Sequence, residues 1–145
     1  MIIKRNIYKE IVNSVESKPV TLISGARQVG KSTLALMFKD RGFNYVSLDN
    51  SRDRELANKD PEMFLAIHPW PLIIDEVQRA PILFEGIEEI VNKEKIKRND
   101  NYGMYILTGS QMYKLMNGVT ESLAGRVSII HVLPLSRNEI IERDE

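Results

Sequence analysis

Five short apolar runs punctuate the chain: "VTLIS" (20–24), "YVSL" (45–48), "PLIID" (71–75), "MYILT" (104–108) and "VSIIHVL" (127–133). Most are nearly continuous in apolar residues instead of alternating, the pattern of strands covered on both faces and hence of a parallel sheet. The stretches between them carry helical spacing. "KSTLALMFKDRG" puts Leu34, Met37 and Phe38 on one face and has Gly42 where a helix would stop. "ILFEGIEEIVNKEKIK" brings Ile82, Phe84, Ile87, Ile90 and Val91 to one side, with acids and lysines opposite. "QMYKLMNGVTESLAGR" predicts a third helix, weakened by Gly118. The segment after the second run, with Asp49, Arg52 and Arg54, reads as a solvated surface segment. Strands alternating with helices predict an α/β fold, a parallel sheet with helices on both faces.

Composition narrows this picture without redirecting it. A chain of 145 residues suits one domain with a sizeable core. Lysine and arginine together number 20, as do aspartate and glutamate, so no global field favours nucleic acid or an anionic membrane. There is no cysteine, which removes disulfides, thiolate metal sites and a cysteine nucleophile. No apolar run approaches the ~18 residues of a membrane span, and the expectation is a soluble, cytoplasmic protein.

The candidate chemistry starts at "SGARQVGKST", which contains Gly25-x-x-x-x-Gly30-Lys31-Ser32 directly after the first predicted strand. This is the phosphate-binding loop pattern, and each residue type in it has a reason. A loop wrapping a phosphate aims successive backbone N–H groups inward, with torsions and close approaches that glycine permits. Lys31 brings a compact positive charge to the β- and γ-phosphates, and the Ser32 hydroxyl is a hard oxygen ligand for Mg²⁺. The helix that follows adds its free N–H groups and dipole.

"PLIIDE" is an apolar strand that stops in two carboxylates. Asp75 fits the acid that holds Mg²⁺ through water, and Glu76 fits a base that orients and deprotonates an attacking water. "YILTGS" reaches its strand end with Thr108 and Ser110, and in an open α/β sheet the ligand sits at the carboxyl ends of the strands. These hydroxyls read either as sensors of the γ-phosphate or as an ordinary turn and helix cap. Arg126 stands just before the fifth strand. It suits an arginine finger presented to a neighbouring subunit, and equally a cap on its own helix. Arg79 is a further candidate for contact between subunits, and Trp70 reads as a packing aromatic.

In combination, "SGARQVGKST", "LIIDEVQRAP", "YILTGSQ", "LAGRV" and "LPLS" resemble the AAA+ class of P-loop ATPases. The wording is similar to bacterial and archaeal AAA-type ATPases that carry a C-terminal domain of unknown function. The resemblance implies a P-loop three-layer α/β/α sandwich with a mostly parallel five-stranded sheet in the order 5-1-4-3-2. It also implies ATP and Mg²⁺ as ligands, hydrolysis to ADP and phosphate, and conformational work on partners or further domains. It assigns phosphate and Mg²⁺ binding to Gly25, Ala26, Arg27, Gln28, Val29, Gly30, Lys31, Ser32 and Thr33. Asp75 takes the metal role, Glu76 the water-polarising role, Thr108 or Ser110 the sensor position, and Arg126 the finger position in a homo-oligomer. The segment 5–19 becomes a leading helix, with Arg5 and Tyr8 near the adenine. Residues 1–145 then form the nucleotide-binding core, and the family's helical lid would only begin at "SRNEIIERDE". Two other functions stay open from sequence: a non-hydrolysing, nucleotide-gated interaction module and a small-molecule P-loop kinase.

Overall fold

The computed structural model describes residues 2–25, 30–98, 101–110, 117, 119 and 122–132. Its centre is a five-stranded sheet of β1 (Val20–Gly25), β2 (Asn44–Ser47), β3 (Leu72–Asp75), β4 (Tyr105–Gly109) and β5 (Val127–Val132). The spatial order is β2-β3-β4-β1-β5 and every pairing is parallel. This is the expected 5-1-4-3-2 order, reached by each apolar run becoming a strand within a residue or two of its expected ends. The fold is the P-loop NTPase α/β type.

Period-2 alternation along each strand splits the core into two layers. Val20, Leu22, Val46, Leu72, Ile74, Tyr105 and Leu107 point to one face. There they pack on Ala57, Phe64, Leu65, Phe84, Ile87 and Val91, which belong to α3 (Ser51–Lys59), α4 (Pro61–Ile67) and α5 (Leu83–Arg98). Ile23, Ile73, Ile106, Ile130 and Val132 point the other way, onto Ile11, Val15, Leu34, Ala35 and Phe38. Those side chains come from α1 (Ile2–Val15), from α2 (Lys31–Leu36) and from the 3-10 turn Met37–Arg41 that continues α2. The three-layer sandwich is therefore what the near-continuous apolar runs require.

Several local expectations need correction. The segment after β2 is not merely solvated: it forms α3 and α4. Asn50 caps α3 by accepting from the N–H groups of Arg52 and Asp53, and Asp60 caps α4 by accepting from Met63 N, with Pro61 in the first turn. Arg54 turns back to donate to the Leu48 carbonyl at 3.2 Å. The helix begun at Lys31 tightens after Leu36. Three residues per turn then rotate Met37 outward to 39% exposure while Phe38 stays buried. Gly42 closes the turn at φ 96°, a left-handed conformation that glycine adopts without cost. Ile82 precedes α5 and is exposed, because the helix starts one residue later. Of the third expected helix, only residues 117, 119, 122 and 123 are described as helical, and Val119 and Leu123 are fully buried. Residues 111–116 and the expected lid start beyond residue 133 lie outside the described residues.

Candidate active site

The site lies at the carboxyl ends of β1, β3 and β4, and strand register builds it. Ile73, Ile106 and Ile23 face α1 and α2, so two residues on, Asp75 and Thr108 face the same way. Ile74 pairs with Leu107 and Ser47 with Asp75, which sets Asp75 beside Thr108. α2 begins directly below, since Gly30, at φ 81° and ψ 21°, turns the chain from the loop into Lys31. A side chain at position 30 would be strained in that left-handed conformation.

Asp75 is a buried carboxylate satisfied entirely by hydroxyls. Ser32 Oγ donates to its Oδ1 at 2.8 Å, Tyr45 OH donates to Oδ2 at 3.0 Å, and Thr108 Oγ1 donates to Oδ1. Thr108 also accepts from the backbone N–H of Glu76 at 3.0 Å, which fixes the direction of its own proton toward Asp75. Tyr45 was not foreseen. It lies on β2 opposite Ile73, two residues before the Ser47–Asp75 pair, and period-2 alternation aims it to the same face. Burial, and after it the Asp75 charge, push its phenol up to about 12 from 10.0.

Lys31 is 1% exposed, and its ammonium faces Glu76 Oε2 at 3.5 Å. A buried ammonium requires a countercharge, and here the nearest one is the second carboxylate of "DE". Glu76 itself sits at φ 58° and ψ 51°, and it is the one non-glycine residue with positive φ among those described. Such a conformation costs about 1–2 kcal/mol for an L-residue and concentrates at working sites. The turn it starts, Val77–Arg79, brings Gln78 back so that its Nε2 donates to Glu76 Oε1 at 2.7 Å. Gln78 Oε1 accepts from the Ser110 N–H at 3.3 Å. Gln78 is the second residue that sequence reasoning missed: it stands inside the quoted "LIIDEVQRAP", but no role was given to it.

A family model described as an AAA domain matches residues 17–141. The chain belongs to the AAA domain family. Among curated relatives, an uncharacterized protein of Mycobacterium tuberculosis is 29% identical over 142 residues, covering 97% of this chain and 31% of that protein. An uncharacterized protein of Haemophilus influenzae is 25% identical over 160 residues, covering 97% of this chain and 38% of its own length. The chain thus spans well under half of the relatives it matches. The Walker-type ATPase PABY2304 of Pyrococcus abyssi superposes with a TM-score of 0.65 at 19% identity, over 98% of this chain and 56% of that one. AMPPCP-bound DnaA from Aquifex aeolicus gives 0.55 at 20% identity, over 98% and 50%. Those two likenesses establish the fold.

Within the AAA domain the remaining candidates divide by place. Gly25 ends β1 and Gly30 precedes α2, so they flank the loop, whereas Ala26, Arg27, Gln28 and Val29 lie outside the described residues. Thr33 is exposed on α2, and Ser110 reaches the site through its backbone N–H. Tyr8 packs its ring on Phe38, with centroids 5.2 Å apart, so that side chain serves the α1–α2 layer. Arg79 is paired within the chain, its Nε 2.9 Å from Asp49 Oδ1. Trp70 packs against the core layer. Arg126 is far from the loop: its carbonyl accepts from Val20 N at the amino end of β1, about 17 Å from Gly25 at the other end of that strand. Its Nε donates to Asn92 Oδ1 at 2.7 Å, and its NH1 donates to the Ala124 carbonyl at 3.0 Å and lies 3.7 Å from Glu88 Oε2.

The donor set suits a hard divalent cation. A serine hydroxyl and an aspartate oxygen already 2.8 Å apart offer two hard oxygens of the kind Mg²⁺ takes. Ser32 is only part-buried, whereas Asp75 is buried. Among the described residues no cluster of three or more His, Cys, Asp or Glu side chains could hold a metal. No helix among them is long and apolar enough to cross a membrane.

Proposed function

We propose that this domain binds MgATP and hydrolyses it to ADP and phosphate, driving conformational change in attached domains or partners. The observation that carries the reading is the convergence of Lys31, Ser32, Asp75, Glu76 and Thr108, drawn from α2, from β3 and the turn after it, and from β4, at one end of a parallel sheet. Each bears a group that phosphoryl transfer to water needs. Mg²⁺, when bound, supplies charge neutralisation to the phosphates, and Ser32 and Asp75 are the residues to hold it. Lys31 exchanges its Glu76 partner for phosphate oxygens. Glu76, released on one oxygen, accepts the proton of the water whose oxygen attacks the γ-phosphorus while the bond to the ADP oxygen breaks. Thr108 keeps Asp75 and the Glu76 backbone in register during that step, and Gly25 to Gly30 wrap the phosphates.

Arg126 belongs to this reading only between subunits. Its position at the opposite end of the sheet removes it from its own chain's site. Its half-exposed guanidinium is available to a neighbour once the contacts to Asn92 and Glu88 are given up. The test is phosphate release from MgATP over a range of protein concentrations, with Lys31→Ala as control. Release rising faster than linearly with protein, lost in the control and made linear by Arg126→Ala, supports a self-assembling ATPase. Nucleotide binding without release refutes hydrolysis and leaves a nucleotide-gated module.

A further inference from the structure

Resting on the ATPase reading above, we propose that Gln78 is a positioning residue that aims the Glu76 carboxylate and ties it to the tip of β4. Its side-chain amide is held at both ends. The Glu76 carboxylate oxygen can only accept and the Ser110 N–H can only donate, so the amide has one consistent orientation. Nε2 faces Glu76 Oε1 at 2.7 Å and Oε1 faces Ser110 N at 3.3 Å. The left-handed backbone at Glu76 makes the bridge reachable, because it folds the Val77–Arg79 turn back under the carboxylate. Thr108 pins the same residue's backbone N–H. Glu76 is therefore fixed by main chain and by side chain independently.

The two oxygens of Glu76 have different fates. Oε2 faces Lys31 and Oε1 faces Gln78. When Lys31 turns to a phosphate, Oε2 is freed to accept from water, while Gln78 retains Oε1 and with it the carboxylate's orientation. Removing Gln78 leaves a base that is present but rotates about its own side-chain torsions. A misplacement of about 1 Å costs on the order of 100-fold in rate. Because Gln78 bonds to Glu76 and to the Ser110 backbone, and not to the loop glycines, Lys31 or Ser32, nucleotide affinity does not depend on it.

The experiment has two arms on the full chain. In the first, Gln78→Ala and Gln78→Glu lower kcat for phosphate release by roughly 10–100-fold, with KM for MgATP unchanged within about twofold; glutamate fails because it cannot donate to a carboxylate. In a Glu76→Gln background the same changes cost nothing further, since the group they position is already gone. Full kcat in Gln78→Ala, or an equal loss in the Glu76→Gln background, overturns the proposal. The second arm needs no turnover. The Gln78 side-chain amide signal in a ¹H–¹⁵N spectrum, assigned by its loss in Gln78→Ala, shifts in Glu76→Ala; an unmoved signal overturns the proposal. If the unaltered chain binds MgATP but releases no phosphate, the ATPase reading fails alone, and the amide signal still decides whether Gln78 holds Glu76.

Discussion

The two ends of the sheet are built on opposite principles. At the amino end the chain is fastened by main chain to main chain. Leu72 N donates to Met104 O, Gly103 N to Lys18 O, Met104 and Tyr105 N both to Pro19 O, and Val20 N to Arg126 O. At the carboxyl end the bonds run between side chains: Ser32, Tyr45 and Thr108 to Asp75, Gln78 to Glu76, and Lys31 opposite Glu76. Backbone bonds do not depend on ionisable side chains, so the first end holds the register without charged groups of its own in those bonds. Buried side-chain networks are costly if half satisfied, and they can exchange partners when a ligand offers better ones. One end supplies rigidity and the other keeps ionisable groups poised.

That contrast can be broken most sharply at the carboxyl end. Glu76→Gln is expected to lower phosphate release by about 10²–10⁴-fold while leaving nucleotide binding intact, as measured with a fluorescent ATP analogue beside a turnover assay. An unaltered rate would mean that some other group handles the water. Next, Lys31→Ala weakens MgATP binding by roughly 10–100-fold, the worth of a charge-assisted contact. The same variant strands the Glu76 carboxylate, so equilibrium titration with denaturant is expected to show it less stable in the absence of nucleotide.

At the amino end the effects are on stability and not on turnover. Gly103 holds φ 65°, and an added Cβ would lie 3.0 Å from the Val15 carbonyl oxygen. Gly103→Ala should therefore cost about 1–2 kcal/mol and lower the melting temperature by roughly 2–8 °C, with KM for MgATP unmoved. A loss of nucleotide affinity there would contradict the division between the two ends.

The smallest expected effect is a gain. Tyr105 is 1% exposed at the start of β4, and its hydroxyl has no hydrogen-bond partner among the described residues. Tyr105→Phe removes that burden and should stabilise by about 1 kcal/mol. Burial pushes the Tyr105 phenol well above its ordinary value. In the unfolded chain it ionises near ~10 and in the folded chain it stays neutral, so above that pH the unfolded state binds fewer protons and stability falls as pH rises. The phenylalanine variant should show a flatter decline in denaturant titrations at alkaline pH. A steeper one would place the strain elsewhere.

The fold was largely legible in the sequence because strands covered on both faces leave near-continuous apolar runs, and five such runs separated by helical patterns admit few arrangements. The main omission in the fold, α3 and α4, came from reading charge as solvation. Their caps, Asn50 and Asp60–Pro61, are local signals that were present in the sequence. In the site, Lys31, Ser32, Asp75, Glu76 and Thr108 were identifiable because each sits at a fixed offset from a strand end or a glycine. Tyr45 was hidden because its relevance depends on β2 pairing with β3, a contact between segments 28 residues apart at Asn44↔Leu72.

The sequence by itself determined the strands, the two-faced core and the identity of the charged groups, since these depend on local spacing and on side-chain chemistry. Tertiary structure decided which of those groups meet. It set Lys31 against Glu76, surrounded Asp75 with three hydroxyls from three elements, folded Gln78 under Glu76 through one left-handed residue, and put Arg126 at the far edge. Register, crossover and a single positive φ are collective or strained properties of the folded chain, and no short window of residues encodes them.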